Sequence, residues 1–453
     1  MYQSASRNFL SLFFFCLSIN FAFSQQAVKV ELVFDGTNWN LMRDNKPYYI
    51  KGAGGEKYMN EIVARGGNSL RTWGAENAQQ ILDEAQKNGL TVMLGLWVQH
   101  ERHGFDYNNK QNVEKQLNNF REVVKKFKDH PALLLWGIGN EVDLSYTNTK
   151  VWDAINDIAK MIHELDKNHP TSTVTAGLDS NEVVLIKSKA PHIDIYGINT
   201  YGDIANVKAD IRRFGWQGPY MITEWGPNGH WESPKTEWGA SIEATSTEKS
   251  LVYQKRYQEC IFSDQSKCIG SYVFLWGNKQ EYTGTWYGLF SEGGKPTEAL
   301  DAIEFCWKGK LSENKAPTID SMNIDGLKKE GNIYLKSQNK FSATVYARDG
   351  ENEKLTYHWA IIPESSDQKS GGDSEAKPEQ IEGLIKNKKS NQITFQAPVV
   401  EGGYRLFVTI SDGKKEAYAN IPFYISPRNA NDPPIRFVNL KKTDLNSFNS
   451  ESE

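Results

Sequence analysis

A chain of 453 residues with a formal net charge of −4 has room for one large and one small domain, and it offers no basic run suited to nucleic acid or an anionic membrane surface. Aromatic residues make up 12% of it, with 13 Trp, a supply that suits flat apolar sugar faces as well as a core. Its eight His include no His-Glu-x-x-His pair and its cysteines lack ligand spacing, so neither a catalytic metal nor a cofactor is expected.

Arg7, the apolar run from Phe9 to Phe23 and the small residues before Gln25 form the three regions of a secretory signal peptide over residues 1–24. A secreted or periplasmic location is therefore expected. The bulky Phe13, Phe14 and Phe15 ahead of Cys16 argue against a lipid anchor, and no later apolar run reaches the length of a membrane span. Cleavage leaves Cys260, Cys268 and Cys306. The first two flank a short polar loop and either pair in an oxidising compartment or remain, with the third, buried thiols.

From Val28 to Tyr49, alternation broken by Asp35-Gly36 and Asp44-Asn45 predicts a hairpin region that closes the floor of the main fold. Strand-like runs follow at 48–52, 69–73, 91–96, 133–139, 173–177, 194–199, 220–224 and 270–276. Between them lie helical patterns such as 76–88, 112–128, 151–168 and 248–262. Eight strands in alternation with helices predict a (β/α)8 TIM barrel over residues 25–309. The pattern then changes to short alternating strands separated by turns such as Asp349-Gly350 and Asp412-Gly413, which predicts an all-β immunoglobulin-like sandwich over residues 310–427 with Trp359 in its core. Residues 428–453 form a polar tail. The sandwich strands carry no exposed aromatic row, so this domain is expected to support the barrel rather than bind glycan. The acidic stretch from Asp349 to Glu353 reads as a solvated hairpin tip or a Ca²⁺ ligand set.

Two stretches carry the chemistry. Leu133 to Glu141 is an apolar run ending in Asn140-Glu141, and Pro219 to Pro227 is another with Glu224 at its end, followed by Trp225 and Gly226. Carboxylates at the carboxyl ends of two buried parallel strands sit where α/β barrels place their reactive groups. Two such groups suffice for retaining glycosidic cleavage if they stand roughly 5 Å apart. Asn140 is suited to donate to a sugar hydroxyl beside the anomeric centre.

With Asn140-Glu141 on strand four and Glu224 on strand seven, the chain resembles the glycoside hydrolases of clan A. The resemblance implies Glu141 as acid/base and Glu224 as nucleophile. It further implies Arg71 as the cation beside the nucleophile, His100 as a strand-three polar residue, Tyr201 as a hydrogen-bond donor to the nucleophile and Trp276 as the floor under the cleaved sugar. Asn199 stands where several clan A families carry His. Trp73 and Trp225 join the expected sugar-binding set. The layout of a clan A barrel followed by one immunoglobulin-like domain is similar to glycoside hydrolase family 158, which implies endo-action on the polysaccharide β-1,3-glucan (laminarin); a monomer is expected. Another clan A activity, such as a β-mannanase or an exo-acting β-glycosidase, and a non-catalytic glycan binder are the alternatives.

Overall fold

The computed structural model describes residues 26–426. The expected signal peptide and polar tail lie outside the described residues. Antiparallel strands β1 (Val30–Phe34), β2 (Trp39–Arg43) and β3 (Lys46–Pro47) form a small sheet. Eight parallel strands then close a barrel: β4 (Ile50–Gly54), β5 (Ser69–Arg71), β6 (Thr91–Leu96), β7 (Leu133–Ile138), β8 (Thr171–Ala176), β9 (Ile195–Asn199), β10 (Tyr220–Glu224) and β11 (Cys268–Val273). Each is followed by a helix: α1 (Met59–Ala64), α2 (Ala78–Lys87), α3 (Lys110–Phe127), α4 (Lys150–Leu165), α5 (Ser180–Lys189), α6 (Ile204–Arg213), α7 (Ser246–Arg256) and α8 (Glu298–Lys308). None of the described helices is long and apolar enough to cross a membrane.

The strands are apolar throughout because both of their faces are covered. Inward residues such as Met93, Leu135, Val174 and Met221 fill the barrel, and Val30 and Leu41 of the small sheet join them from below. The small sheet is anchored to loops that precede barrel strands: Val30 N donates to Asn168 O at 2.7 Å, Trp39 N to Ser266 O at 2.9 Å and Arg43 Nη2 to Pro131 O at 2.9 Å. The floor is thus sealed, and the opposite end, where the strands terminate, is left for chemistry. Cys260, Cys268 and Cys306 are free thiols. Cys268 is buried at the start of β11, and the Cys260–Cys268 pairing is not made.

After α8 the chain turns at Gly309, whose φ of 69° is easy for glycine. It then enters two four-stranded sheets. One contains β12 (Thr318–Ile324), β14 (Lys340–Arg348), β16 (Ile385–Lys386) and β17 (Gln392–Gln396); the other contains β13 (Ile333–Lys336), β15 (Thr356–Pro363), β18 (Gly402–Ser411) and β19 (Glu416–Ser426). All pairs are antiparallel except β13 with β19. Inward residues of both sheets, including Trp359, Val345, Phe395, Leu406 and Phe423, make one core.

The sandwich is joined to the barrel through polar groups buried at the junction. Glu243, ahead of α7, accepts from Lys249 Nζ at 2.6 Å, Thr285 Oγ1 at 2.8 Å, Thr283 Oγ1 at 2.7 Å and, across the domains, Asn420 Nδ2 at 2.6 Å. Arg405 of β18 donates to Ser241 O at 2.6 Å and Asn420 Oδ1 at 2.8 Å and pairs with Glu364 at 3.0 Å. Side chains of Lys249 and Glu243 are 3% and 0% exposed, so removing one charge strands the other in a low dielectric. Lys249→Met is expected to cost about 3–5 kcal/mol, measured as a lowered urea midpoint. A stability within about 0.5 kcal/mol of wild type would show that this buried pair does not stabilise the protein.

Candidate active site

The reactive end of the barrel is organised by Arg71, the last residue of β5, whose side chain is 2% exposed. Its Nη1 donates to Thr223 O at 2.7 Å and Glu224 Oε1 at 3.0 Å, and its Nη2 to Asn140 Oδ1 at 2.6 Å. Asn199, at the end of β9, accepts from Thr223 Oγ1 at 2.8 Å and donates through Nδ2 to Glu141 Oε1 at 2.8 Å and Asn140 Oδ1 at 3.1 Å. One connected set of hydrogen bonds therefore spans the ends of β5, β7, β9 and β10 and reaches both carboxylates.

The two carboxylates have different surroundings. Glu224 accepts three donors: the Arg71 guanidinium, Trp73 Nε1 at 2.8 Å on Oε1, and Tyr201 Oη at 3.1 Å on Oε2. The Arg71 guanidinium also lies 5.3 Å from the Trp73 ring centroid, within cation–π range. Glu141 accepts only the Asn199 amide among the side-chain hydrogen bonds. Burial raises its pKa well above the ordinary carboxylate range, and the nearby Glu224 charge adds to that. Its backbone has a φ of 50°, unusual for a residue with a side chain. The turn is held by Glu141 N donating to Val174 O at 2.9 Å.

Both carboxylates line a cavity of about 930 Å³ at the barrel mouth. Trp73, Asn140, Asn199 and Tyr201 also line it, with Trp97, Trp231 and Phe274 as further aromatic walls. Four residues of the expected binding and support set are not among its lining: Arg71, which lies behind the carboxylates as described above, and three others. His100 is buried beneath Trp97, 4.8 Å between ring centroids, and against His103 at 5.2 Å. Burial, helped by the Arg102 charge, lowers its pKa to about 4. Trp225 is fully buried against Tyr253 and Tyr257 of the helical layer. Trp276 is buried against Trp307 and Phe290. The aromatic that β11 gives the cavity is instead Phe274, whose peptide bond to Leu275 is cis.

Sequence reasoning missed a whole wall. Residues Lys369 to Asp373, from the long connection between β15 and β16, line the cavity together with the barrel carboxylates. The sandwich is therefore more than a support: it reaches the site. Asp349, Glu353 and Asp412 of the sandwich bring carboxylate oxygens within 4.8 Å of one another. Lys414 already pairs with Glu353 at 2.7 Å, and backbone amides fill one oxygen each of Asp349 and Asp412, so the cluster by itself does not define a metal site.

Residues 66–260 match the family model for glycosyl hydrolases family 2, TIM barrel domain. Family 158, expected from the layout, is not the family this match names. The chain is 25% identical over 330 residues to a beta-glucuronidase of Streptococcus agalactiae, covering 60% of this chain and 52% of that protein. It is 22% identical over 266 residues to beta-galactosidase BoGH2A of Bacteroides ovatus, covering 50% and 29%. It thus spans about half, or less, of the length of these relatives. Among solved structures, a Bifidobacterium dentium beta-glucuronidase complexed with coumarin-3-O-glucuronide aligns with a TM-score of 0.49 at 19% identity, over 62% of this chain and 49% of that one.

The raised pKa of Glu141 has a consequence for stability. An unfolded Glu titrates near about 4.3, below the folded value. Between these two values the folded protein holds the extra proton, so stability is greatest below the unfolded pKa and falls as pH rises through the folded one. Glu141→Gln removes that dependence. Its stability relative to wild type is expected to rise between pH 4 and pH 8, by on the order of 1–3 kcal/mol. Equal differences in Tm at the two pH values would contradict the assigned environment.

Proposed function

We propose that the protein is a retaining β-glycosidase that works by double displacement with two glutamates. The observation that carries this reading is the pair of carboxylates in one cavity with opposed surroundings: Glu224 bound by three donors, and Glu141 buried with its pKa raised. Glu224 attacks the anomeric carbon and forms a glycosyl ester while Glu141 gives its proton to the departing oxygen. Glu141, now a carboxylate, takes a proton from water as that water attacks the same carbon, and Glu224 leaves. Asn140, whose carbonyl oxygen is occupied by Arg71 and Asn199, offers its amide N–H to the hydroxyl beside the anomeric centre.

The names of the relatives, beta-glucuronidase and beta-galactosidase, favour an exo-acting β-glycosidase over the endo-β-1,3-glucanase implied by resemblance to family 158. One observation supports the latter as a second reading. A cavity of about 930 Å³ is at the upper end of ligand-site volumes, enough for more than one sugar ring, with Trp97 and Trp231 as platforms. Product sizing over time on laminarin and on β-linked aryl glycosides separates the two. Monosaccharide as the sole early product supports exo-action, and mixed-length oligosaccharides support endo-action.

Two variants test the roles. Glu224→Gln is expected to lose turnover by about 10⁴-fold or more. Glu141→Ala should retain activity on substrates with good leaving groups and be rescued by azide, because only proton transfer is missing. In the wild type, kcat/KM should fall on the alkaline side as Glu141 loses its proton, and this limb should be absent from the azide-rescued reaction. Azide rescue of the Glu224 variant with retained configuration would exchange the two roles.

A further inference from the structure

The segment of the sandwich that reaches the cavity is fastened at both ends to barrel loops. On one side, Arg102 grips Asp373 with two bonds, Nη1 to Oδ2 at 2.7 Å and Nη2 to Oδ1 at 3.2 Å, and His103 Nε2 lies 3.2 Å from the same carboxylate. These residues follow β6. On the other side, Lys279 from the loop after β11 donates to Gly372 O at 2.5 Å, and Tyr282 N donates to Glu375 Oε2 at 2.7 Å. The other oxygen of Glu375 accepts from Lys369 N at 3.0 Å, closing the segment on itself.

Two consecutive glycines let it lie against the barrel. Gly371 and Gly372 have φ values of 64° and 69°, where a side chain is strained. A Cβ at Gly371 would sit 2.6 Å from Leu144 Cδ2 and 2.8 Å from Arg102 Nη2, and one at Gly372 would sit 3.1 Å from Lys279 Nζ. The backbone thus bridges the loops after β6 and β7 and the loop after β11, as a strap across the barrel mouth.

The charges that come with the strap bear on what it accepts. Among the described residues that line the cavity, the lysines are Lys279 and Lys369. Lys279 is taken by Glu281 Oε2 at 2.9 Å and the strap carbonyl, and Lys369 by Ser374 O at 2.7 Å with Asp367 at 3.5 Å. Of the acidic residues besides Glu141 and Glu224 that line the same space, Asp210, Glu281 and Asp373 are themselves paired, with Arg213, Lys279 and Arg102. This leaves Asp203 and Glu232, the latter held by backbone amides, as the like charge. A ligand carboxylate here would meet like charge and no uncommitted lysine, which is repulsive selection against it.

Resting on the glycosidase reading above, we propose that the strap Lys369 to Asp373 is a specificity-determining wall of the substrate site, and that it selects a neutral β-linked oligosaccharide over one containing uronic acid. Asp373 and Arg102 act as positioning residues, since they hold the wall without touching the bond to be cleaved.

The test uses the full chain carrying Glu224→Gln, so that bound sugar is not consumed. Binding is measured by calorimetry with a β-1,3-linked glucose hexasaccharide and with a hexasaccharide of alternating glucuronic acid. The neutral sugar should bind at least about tenfold more tightly. Adding Asp373→Ala or Arg102→Ala should weaken its Kd by about tenfold, and the exchanged pair R102D/D373R should recover most of that loss. Circular dichroism and Tm separate a loosened strap from a misfolded chain. An unchanged Kd in folded Asp373→Ala, no binding of the neutral sugar, or tighter binding of the uronic acid oligomer would each overturn the proposal. Turnover of aryl β-glycosides by the wild type judges the glycosidase reading separately, because it does not depend on the strap variants.

Discussion

The Arg71 guanidinium is the group on which the rest of the site depends. A cation this deeply buried is stable only if its donors are matched, and here the matching partners come from the ends of β7 and β10. The planar fork of arginine can hold Asn140 on one nitrogen and Thr223 with Glu224 on the other, whereas a lysine offers one point charge. By meeting its own need for partners, Arg71 fixes the distance between strand ends that are far apart in sequence. Asn199 then extends the set to Glu141. The two carboxylates are therefore positioned through shared neighbours rather than independently.

Around this hub the molecule divides its labour between two domains whose junction is itself polar and buried. Glu243 and Lys249 of the barrel and Arg405 and Asn420 of the sandwich form one set there, tied across the domains by Asn420 to Glu243 and by Arg405 to Ser241 O. The same rigidity serves the cavity: a wall supplied by a loosely tethered domain would not hold a fixed shape, and this one is backed by a desolvated network.

Much of this was legible in the sequence, for physical reasons. Buried parallel strands read as apolar runs, and a charged residue at the end of such a run stands out, which is why Glu141 and Glu224 were visible, whereas Arg71 was picked out through the resemblance to clan A. The misplaced aromatics follow from side-chain alternation. Glu224 faces the cavity, so Trp225 next to it faces the helical layer, and strand parity alone was enough to say so. Trp276 escaped that rule because the chain leaves β11 at Val273. The strap was not legible because its partners, Arg102 and Lys279, lie in a different domain. Its one local sign was the Gly371-Gly372 pair, which in isolation looks like any polar loop.

The strap also sets an order of assembly. Domains of a nascent chain fold as they emerge, the N-terminal one first, so the barrel with both glutamates is complete when α8 ends at Lys308. At that moment the mouth lacks the wall that begins at Lys369. A chain made only that far thus already holds its carboxylate pair, and the wall proposed above to choose among sugars is added only when the sandwich closes over the mouth.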